Sequence, residues 1–167
     1  ASTLHRGTVS LKTVTIIGFN GALASAITGI IDLFRLAGVT WARIHGKQPH
    51  ALFNTRLLTE SGEPCRCING VTLLADGSWQ EVDGLGLDDL LIIPTIGAPI
   101  DEILAGNQAL VKWLTQFRAV PEGQVRVASN CTGAFLLAAA GLLDGREATT
   151  HWGFGDQFRR RFPEVKL

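Results

Sequence analysis

The chain predicts an α/β fold with a mainly parallel sheet and helices on both faces. Three observations carry this. Short β-branched runs alternate with apolar helical stretches along the whole length. The run Leu90–Ile93 is continuously apolar, as a strand buried on both faces requires. The 167 residues are 46% hydrophobic and only 18% charged, enough for one buried core and too apolar for a disordered chain.

Taken in order, Thr13–Gly18 (TVTIIG) reads as a buried strand closed by glycine. An apolar helix follows from about Leu23 to Leu36, then a second strand at Ala51–Thr59 and a Glu60-Ser61-Gly62-Glu63 turn. Cys65–Ile68 and Val71–Leu74 flank Asn69-Gly70, the signal for a hairpin with a two-residue turn. Pro94 closes the Leu90–Ile93 strand. Asp101–Phe117 reads as one amphipathic helix, with Ile103, Leu110, Leu114 and Phe117 on a stripe and acids in its first turn. Gln124–Ser129 is the next strand, and Thr132–Ala140 is a helix with almost no polar face. Thr149-Thr150-His151 reads as the end of a further strand, and Phe154–Phe162 as a last helix.

The segment Val125–Trp152 carries the chemistry. A strand runs straight into Cys131 and a helix starts behind it. Ser129-Asn130-Cys131-Thr132-Gly133 has the small-x-nucleophile-x-small layout of a nucleophile elbow, where strand and helix backbones approach closely. This presents the sulfur at the strand's C-terminal end, beside a helix N-terminus whose partial charge favours thiolate. The same cysteine is also consistent with a core residue ahead of an apolar helix. His151 follows 20 positions later. On a neighbouring parallel strand it would meet Cys131 and complete a catalytic pair; a surface or capping histidine is the alternative.

The run C-T-G-A-F-L-L-A-A-A-G-L-L-D-G-R-E-A-T-T-H-W resembles a long signature of the PfpI-type, class I glutamine amidotransferase-like superfamily. The branch it is most similar to is the N-terminal domain of AraC/GlxA-type transcription regulators. Gly29–Phe34 resembles the family's G-P-L-E-V-F, Leu57–Leu74 its hairpin insert, and Leu90–Gly97 its strand and glycine turn. The resemblance implies a flavodoxin-like three-layer sandwich, a homodimer, and Cys131 and His151 as nucleophile and partner. It implies a ligand site formed by Cys131, Thr132, His151, Trp152, Gly97 and Ala26.

Departures from the family pattern bear on activity. Ala26 stands where enzymatic members carry an acid, so no carboxylate there reaches the thiol. Thr95-Ile96 precedes Gly97 where a glycine pair usually supplies backbone donors. Ser129 replaces a common glycine. The pattern implies residues 13–167 as a domain sensing a small, often nitrogenous metabolite, with residues 1–12 a tail. Such a domain passes its signal to a C-terminal helix-turn-helix domain, which is expected beyond this chain together with a closing strand and helix. The chain has no methionine and is expected to be a processed chain or a fragment. A thiol hydratase or amidase using Cys131, and a redox sensor oxidised at Cys131, are the alternative functions.

Other features exclude more than they assign. Fifteen basic and fifteen acidic residues balance, which argues against a dedicated nucleic-acid-binding module. DNA is therefore expected only through the missing domain. Arg159-Arg160-Arg161 reads as a solvated face or a partner contact. No signal peptide or membrane span is legible, and the longest apolar stretch, near Ala134–Leu143, is about half of a span. Three cysteines imply no disulfide framework, so a cytoplasmic location is expected. Cys65 and Cys67 share one strand face but lack the further ligands of a zinc site; hairpin packing is the expectation, with no metal and no cofactor. Gly18-Phe19-Asn20-Gly21 lacks the phosphate-loop pattern. Trp41, Trp79 and Trp113 are expected to pack or lie on the surface, and Trp152 to line a pocket.

Overall fold

The computed structural model describes residues 11–81, 89–119 and 125–167. Strand β1 (Lys12–Ile17) leads through a tight turn into helix α1 (Ala24–Leu36), short helix α2 (Thr40–Ile44) and strand β2 (Phe53–Thr59). A small hairpin, β3 (Cys65–Arg66) and β4 (Thr72–Leu73), precedes the two-residue strand β5 (Gly77–Ser78). Strand β6 (Asp89–Ile93) is followed by α3 (Ile100–Gly106) and α4 (Gln108–Leu114), then β7 (Val125–Ser129), α5 (Ala134–Ala139) and α6 (Gly155–Arg161).

Five strands form one parallel sheet in the order β5-β2-β1-β6-β7. The chain moves one way from β1 to β2 and the other way from β6 to β7. Right-handed crossovers in opposite directions place α1 on one face and α3–α4 on the other. The reversal falls between β1 and β6, and the crevice at their C-terminal ends is where such sheets hold ligands. This is the predicted flavodoxin-like α/β sandwich.

The core is built from the strands' β-branched and leucine residues. Ile16, Ile17, Leu91 and Ile93 are fully buried, with Ile27, Leu104 and Leu114 packed from the helices. Buried Thr15 and Thr55 are satisfied by arginines: Arg56 Nε donates to Thr15 Oγ1 at 2.8 Å, and Arg35 Nε to Thr55 Oγ1 at 2.6 Å. Among the described residues, no buried side-chain nitrogen or oxygen lacks a partner. Phe135 of α5 is sealed edge-on against Phe158 of α6, with ring centroids 4.8 Å apart. No helix of the described residues is long and apolar enough to cross a membrane.

Four local expectations are corrected. The 101–117 helix is two helices and a 3-10 turn at Thr115–Ala119. It breaks at Gly106-Asn107, where Asn107 leaves helical geometry (φ −120°, ψ 34°) and its Nδ2 donates to Ile103 O and Asn20 O. A glycine next to an asparagine whose amide competes for backbone carbonyls is a weak point in any helix. The hairpin turn is longer than two residues. Gly70 N donates to Cys67 O and Cys67 N to Val71 O, so the turn centres on Ile68-Asn69 and Gly70 takes the left-handed position (φ +78°). Residues 149–151 form no strand. The chain there is tied instead by a single bridge, Glu147 to Lys166, and the sheet ends at β7. Finally, the helix predicted over Thr132–Ala140 opens as a 3-10 turn, Cys131–Gly133, before six α-helical residues.

Phe135→Ala should cost about 3–5 kcal/mol of unfolding free energy, the usual range for emptying such a site. Urea denaturation measures it, and a loss below about 1 kcal/mol would mean that α5 is not core.

Candidate functional site

The elbow is defined by its backbone. Among the described residues, Cys131 alone combines a side chain with a positive φ, +53°. The left-handed conformation costs a non-glycine residue roughly 1–2 kcal/mol and persists only where its surroundings impose it. Here they do. Asn130 N donates to Ile93 O at 2.9 Å, continuing the β6–β7 ladder to the last residue before Cys131. Gly133 then sits so close to β6 that a methyl group at 133 would meet the Ile93 and Pro94 carbonyl oxygens at 2.6 Å. Thr132 is buried and donates from Oγ1 to Ile96 O at 2.8 Å. The chain must turn sharply between these anchors, and Cys131 takes the strain. Its side chain is partly exposed, and it is a free cysteine.

The loops around it are stitched across the sheet's switch point. Leu23 N donates to Thr95 O at 3.0 Å, and Gly97 N to Gly21 O at 2.9 Å. Thr95 Oγ1 donates to the Asn130 side chain, joining the β6 turn to the elbow. Ala26 thus lies in the first turn of α1, which holds no acidic residue. Gly97 lies on the β6–α3 turn, and Cys131 and Thr132 follow β7. All four share the C-terminal edge of adjacent strands. The Gly97 N–H is spent on Gly21, so it cannot serve as an oxyanion donor. The hairpin seals this corner: Ile68 fills the space beside Gly97, with its Cδ1 2.1 Å from where a side chain would begin.

The chain meets the elbow through Thr150, one residue before His151, and not on a neighbouring strand. Thr150 Oγ1 donates to Cys131 O at 3.3 Å and carries the chain past the elbow without a strand. The His151 ring is exposed, and its Nδ1 accepts from Gly153 N at 3.1 Å, capping the 3-10 turn Trp152–Phe154. With Nδ1 used as an acceptor, the neutral ring carries its proton on Nε2. In that form His151 offers a donor rather than a base. Among the described residues no hydrogen bond joins it to Cys131. His151 and Trp152, with rings 5.4 Å apart, line a cavity of about 230 Å³ together with Arg159; Cys131 does not line it. Trp152 is 89% exposed. Arg159 pairs with Asp156 at 3.2 Å, and Arg161 pairs with Asp101, so two of the three arginines are held by neighbours. Arg159 was legible only as part of a basic run.

Cys65 and Cys67 are buried in the core with sulfurs 3.7 Å apart. Burial, with Cys67 beside it, pushes the Cys65 thiol up to about 12. No group of three or more metal-binding side chains occurs among the described residues.

A parallel sheet whose last strand delivers a strained cysteine into a buried helix defines an α/β protein with a nucleophile elbow. Residues 12–163 match the DJ-1/PfpI family, and the chain belongs to it. It is 34% identical over 116 residues to the HTH-type transcriptional regulator CdhR of Pseudomonas aeruginosa, a match covering 70% of this chain and 32% of that protein. The chain thus matches about a third of that relative's length. It is 39% identical over 69 residues to isonitrile hydratase of Pseudomonas putida, covering 41% of this chain and 28% of that one. A crystal structure of a transcriptional regulator protein from Vibrio parahaemolyticus superposes with TM-score 0.68 at 25% identity, covering 93% of this chain and 76% of that one.

Two outcomes test the geometry. Gly133→Ala should destabilise the chain by about 1–3 kcal/mol or more, because its methyl meets backbone that cannot rotate away. At position 131, Val should cost more than Asn, since β-branched side chains tolerate a positive φ least; equal melting temperatures would mean that the strain is not there. The Cys65 thiol makes a pH prediction. Its native pKa lies above its ordinary 9.0, so the stabilisation is complete below pH 9 and lost as pH rises towards 12. Unfolding free energy should fall over that window, and less steeply in Cys65→Ala.

Proposed function

We propose that this domain is the effector-sensing part of an AraC-type transcription regulator. It binds a small nitrogenous metabolite at the edge formed by Cys131, Thr132, His151, Trp152, Gly97 and Ala26, and acts on DNA through a helix-turn-helix domain outside this chain. One observation carries the reading: the elbow keeps its strained shape, while the groups that would make its thiol catalytic are missing or engaged. Ala26 is a methyl, the Gly97 N–H is bonded to Gly21, and His151 Nδ1 is a cap. The similarity to CdhR supports the class.

In this reading the ligand covers the Trp152 ring and takes hydrogen bonds from His151 Nε2 and Arg159, which suits a carboxylate on the metabolite. The protein works in the cytoplasm as a homodimer. Exposed apolar residues at the α1–α2 corner, Leu33 (70%) and Ile44 (74%) with Trp41, support self-association. The ligand favours one arrangement of the dimer by its differential affinity, and pairing two DNA-binding domains multiplies their contacts.

A panel of amino acids and quaternary amines should contain a compound that raises the melting temperature. Saturation at 100 times Kd adds about 2.7 kcal/mol, a shift of several degrees for a chain of this size. Trp152→Ala should abolish the shift. If no compound shifts melting, and operator binding by the full-length protein responds to none, sensing is wrong. The strained cysteine and the similarity to isonitrile hydratase favour a second reading, a thiol hydratase. That reading requires turnover of an isonitrile that disappears in Cys131→Ser.

A further inference from the structure

Two cysteines stand apart from the elbow. Cys65 and Cys67 are both free thiols, and their side chains share one face of the hairpin with sulfurs in contact at 3.7 Å. Both are buried, yet each borders a space of its own. Cys65 lines a cavity of about 200 Å³ at the C-terminal ends of β1 and β2. Cys67 lines a groove of about 750 Å³ beside the hairpin, with Glu63, Arg66 and Thr72. Cys131 lines neither.

Their positions allow a bond. Residues two apart on a strand are spaced by about 6.6 Å, inside the Cα separation of about 4.4–6.8 Å that a disulfide spans. The sulfurs have to close from 3.7 Å to a bond of about 2.05 Å. Cys65 is the fixed partner. It pairs with Leu73 in the ladder, its Cβ lies against Gly18, and the adjoining Arg66 is tied on both sides, N to Asn20 Oδ1 and O to Gly21 N. Cys67 lies past the last ladder residue, in the turn, so closure draws Cys67 towards Cys65. Phe19 O loses the Cys65 S–H but is not orphaned, because Ala22 N also donates to it. Next to Cys67 is Ile68, whose N donates to Ala22 O at 3.0 Å and whose side chain fills the space beside Gly97. A pull on Cys67 is therefore passed to the crevice wall.

We propose that Cys65 and Cys67 form a dithiol–disulfide switch, oxidised by hydrogen peroxide, that shifts Ile68 at the crevice beside the elbow. Cys67, on the wider groove, reacts first. Its sulfur takes one oxygen as the O–O bond breaks, giving a sulfenic acid and a water. Cys65 resolves it: the S–S bond forms as the S–O bond breaks, and the Cys65 proton leaves with the hydroxyl as a second water. Two electrons pass from the sulfurs to the peroxide. Burial keeps the Cys65 thiol protonated, which leaves the first reaction to Cys67. Contact between the sulfurs supplies the proximity for the second. A thiol reductant reverses the change.

The Cys131→Ser chain, which keeps only this pair of the three cysteines, tests it. It is treated with hydrogen peroxide, unfolded and alkylated. Neither thiol should alkylate, the mass should fall by two hydrogens, and a reductant should restore both sites. In the folded oxidised chain, amide signals should shift at Ile68 and Gly97 and stay in place along β7. Adding Cys65→Ser removes the resolving thiol and should leave one added oxygen on Cys67. The readout needs no ligand, so it stands or falls apart from the sensing role. The proposal is overturned if both thiols still alkylate after peroxide, if the bond forms while Ile68 and Gly97 stay in place, or if Cys67 takes up no oxygen once Cys65 is serine.

Discussion

The seat of Gly133 against the carbonyls of Ile93 and Pro94 is the contact on which the elbow depends. It brings the start of the helical segment to within backbone contact of β6. The β6–β7 ladder holds the chain from the other side up to Asn130. Cys131 is left to connect two fixed points, and its left-handed conformation is the geometric remainder. The strain is a property of the sheet and its neighbouring helix rather than of the cysteine itself. A different residue at 131 would inherit the same backbone.

The hydrogen-bonding groups near Cys131 bond mainly to one another. Gly97 N serves Gly21, Leu23 N serves Thr95, and Thr132 Oγ1 serves Ile96 O. Each bond stiffens the crevice and removes a donor from any reacting atom. A crevice built this way has rigid walls, which lower the cost of ordering whatever it holds.

Much of this was legible in the residues. The β-branched runs at 13–17 and 90–93 suit buried strands, and the small residues around Cys131 suit a tight crossing, though the cysteine alone fits a core position as well. What escaped depended on partners far away in sequence. The break at Gly106-Asn107 is masked by an apolar stripe that continues through it, with Ile103, Leu104, Leu110 and Leu114 all buried. Thr149-Thr150 has strand chemistry but does not pair with the β7 edge; the chain just before it bridges instead to Lys166, nineteen residues from Glu147. His151 as a cap depends on where Gly153 N points, which no spacing rule reveals.

The contact between Ile68 and Gly97 has a consequence for how this sequence can vary. The isoleucine occupies the volume in which a side chain at 97 would have to lie. The hairpin tip and the β6–α3 turn therefore share one fixed allotment of space. A larger residue at 97 demands a smaller one at 68, so substitutions at these two positions are tied to each other although 29 residues separate them. The width of the crevice mouth is in effect a joint property of two loops, and drift in either is limited by the other.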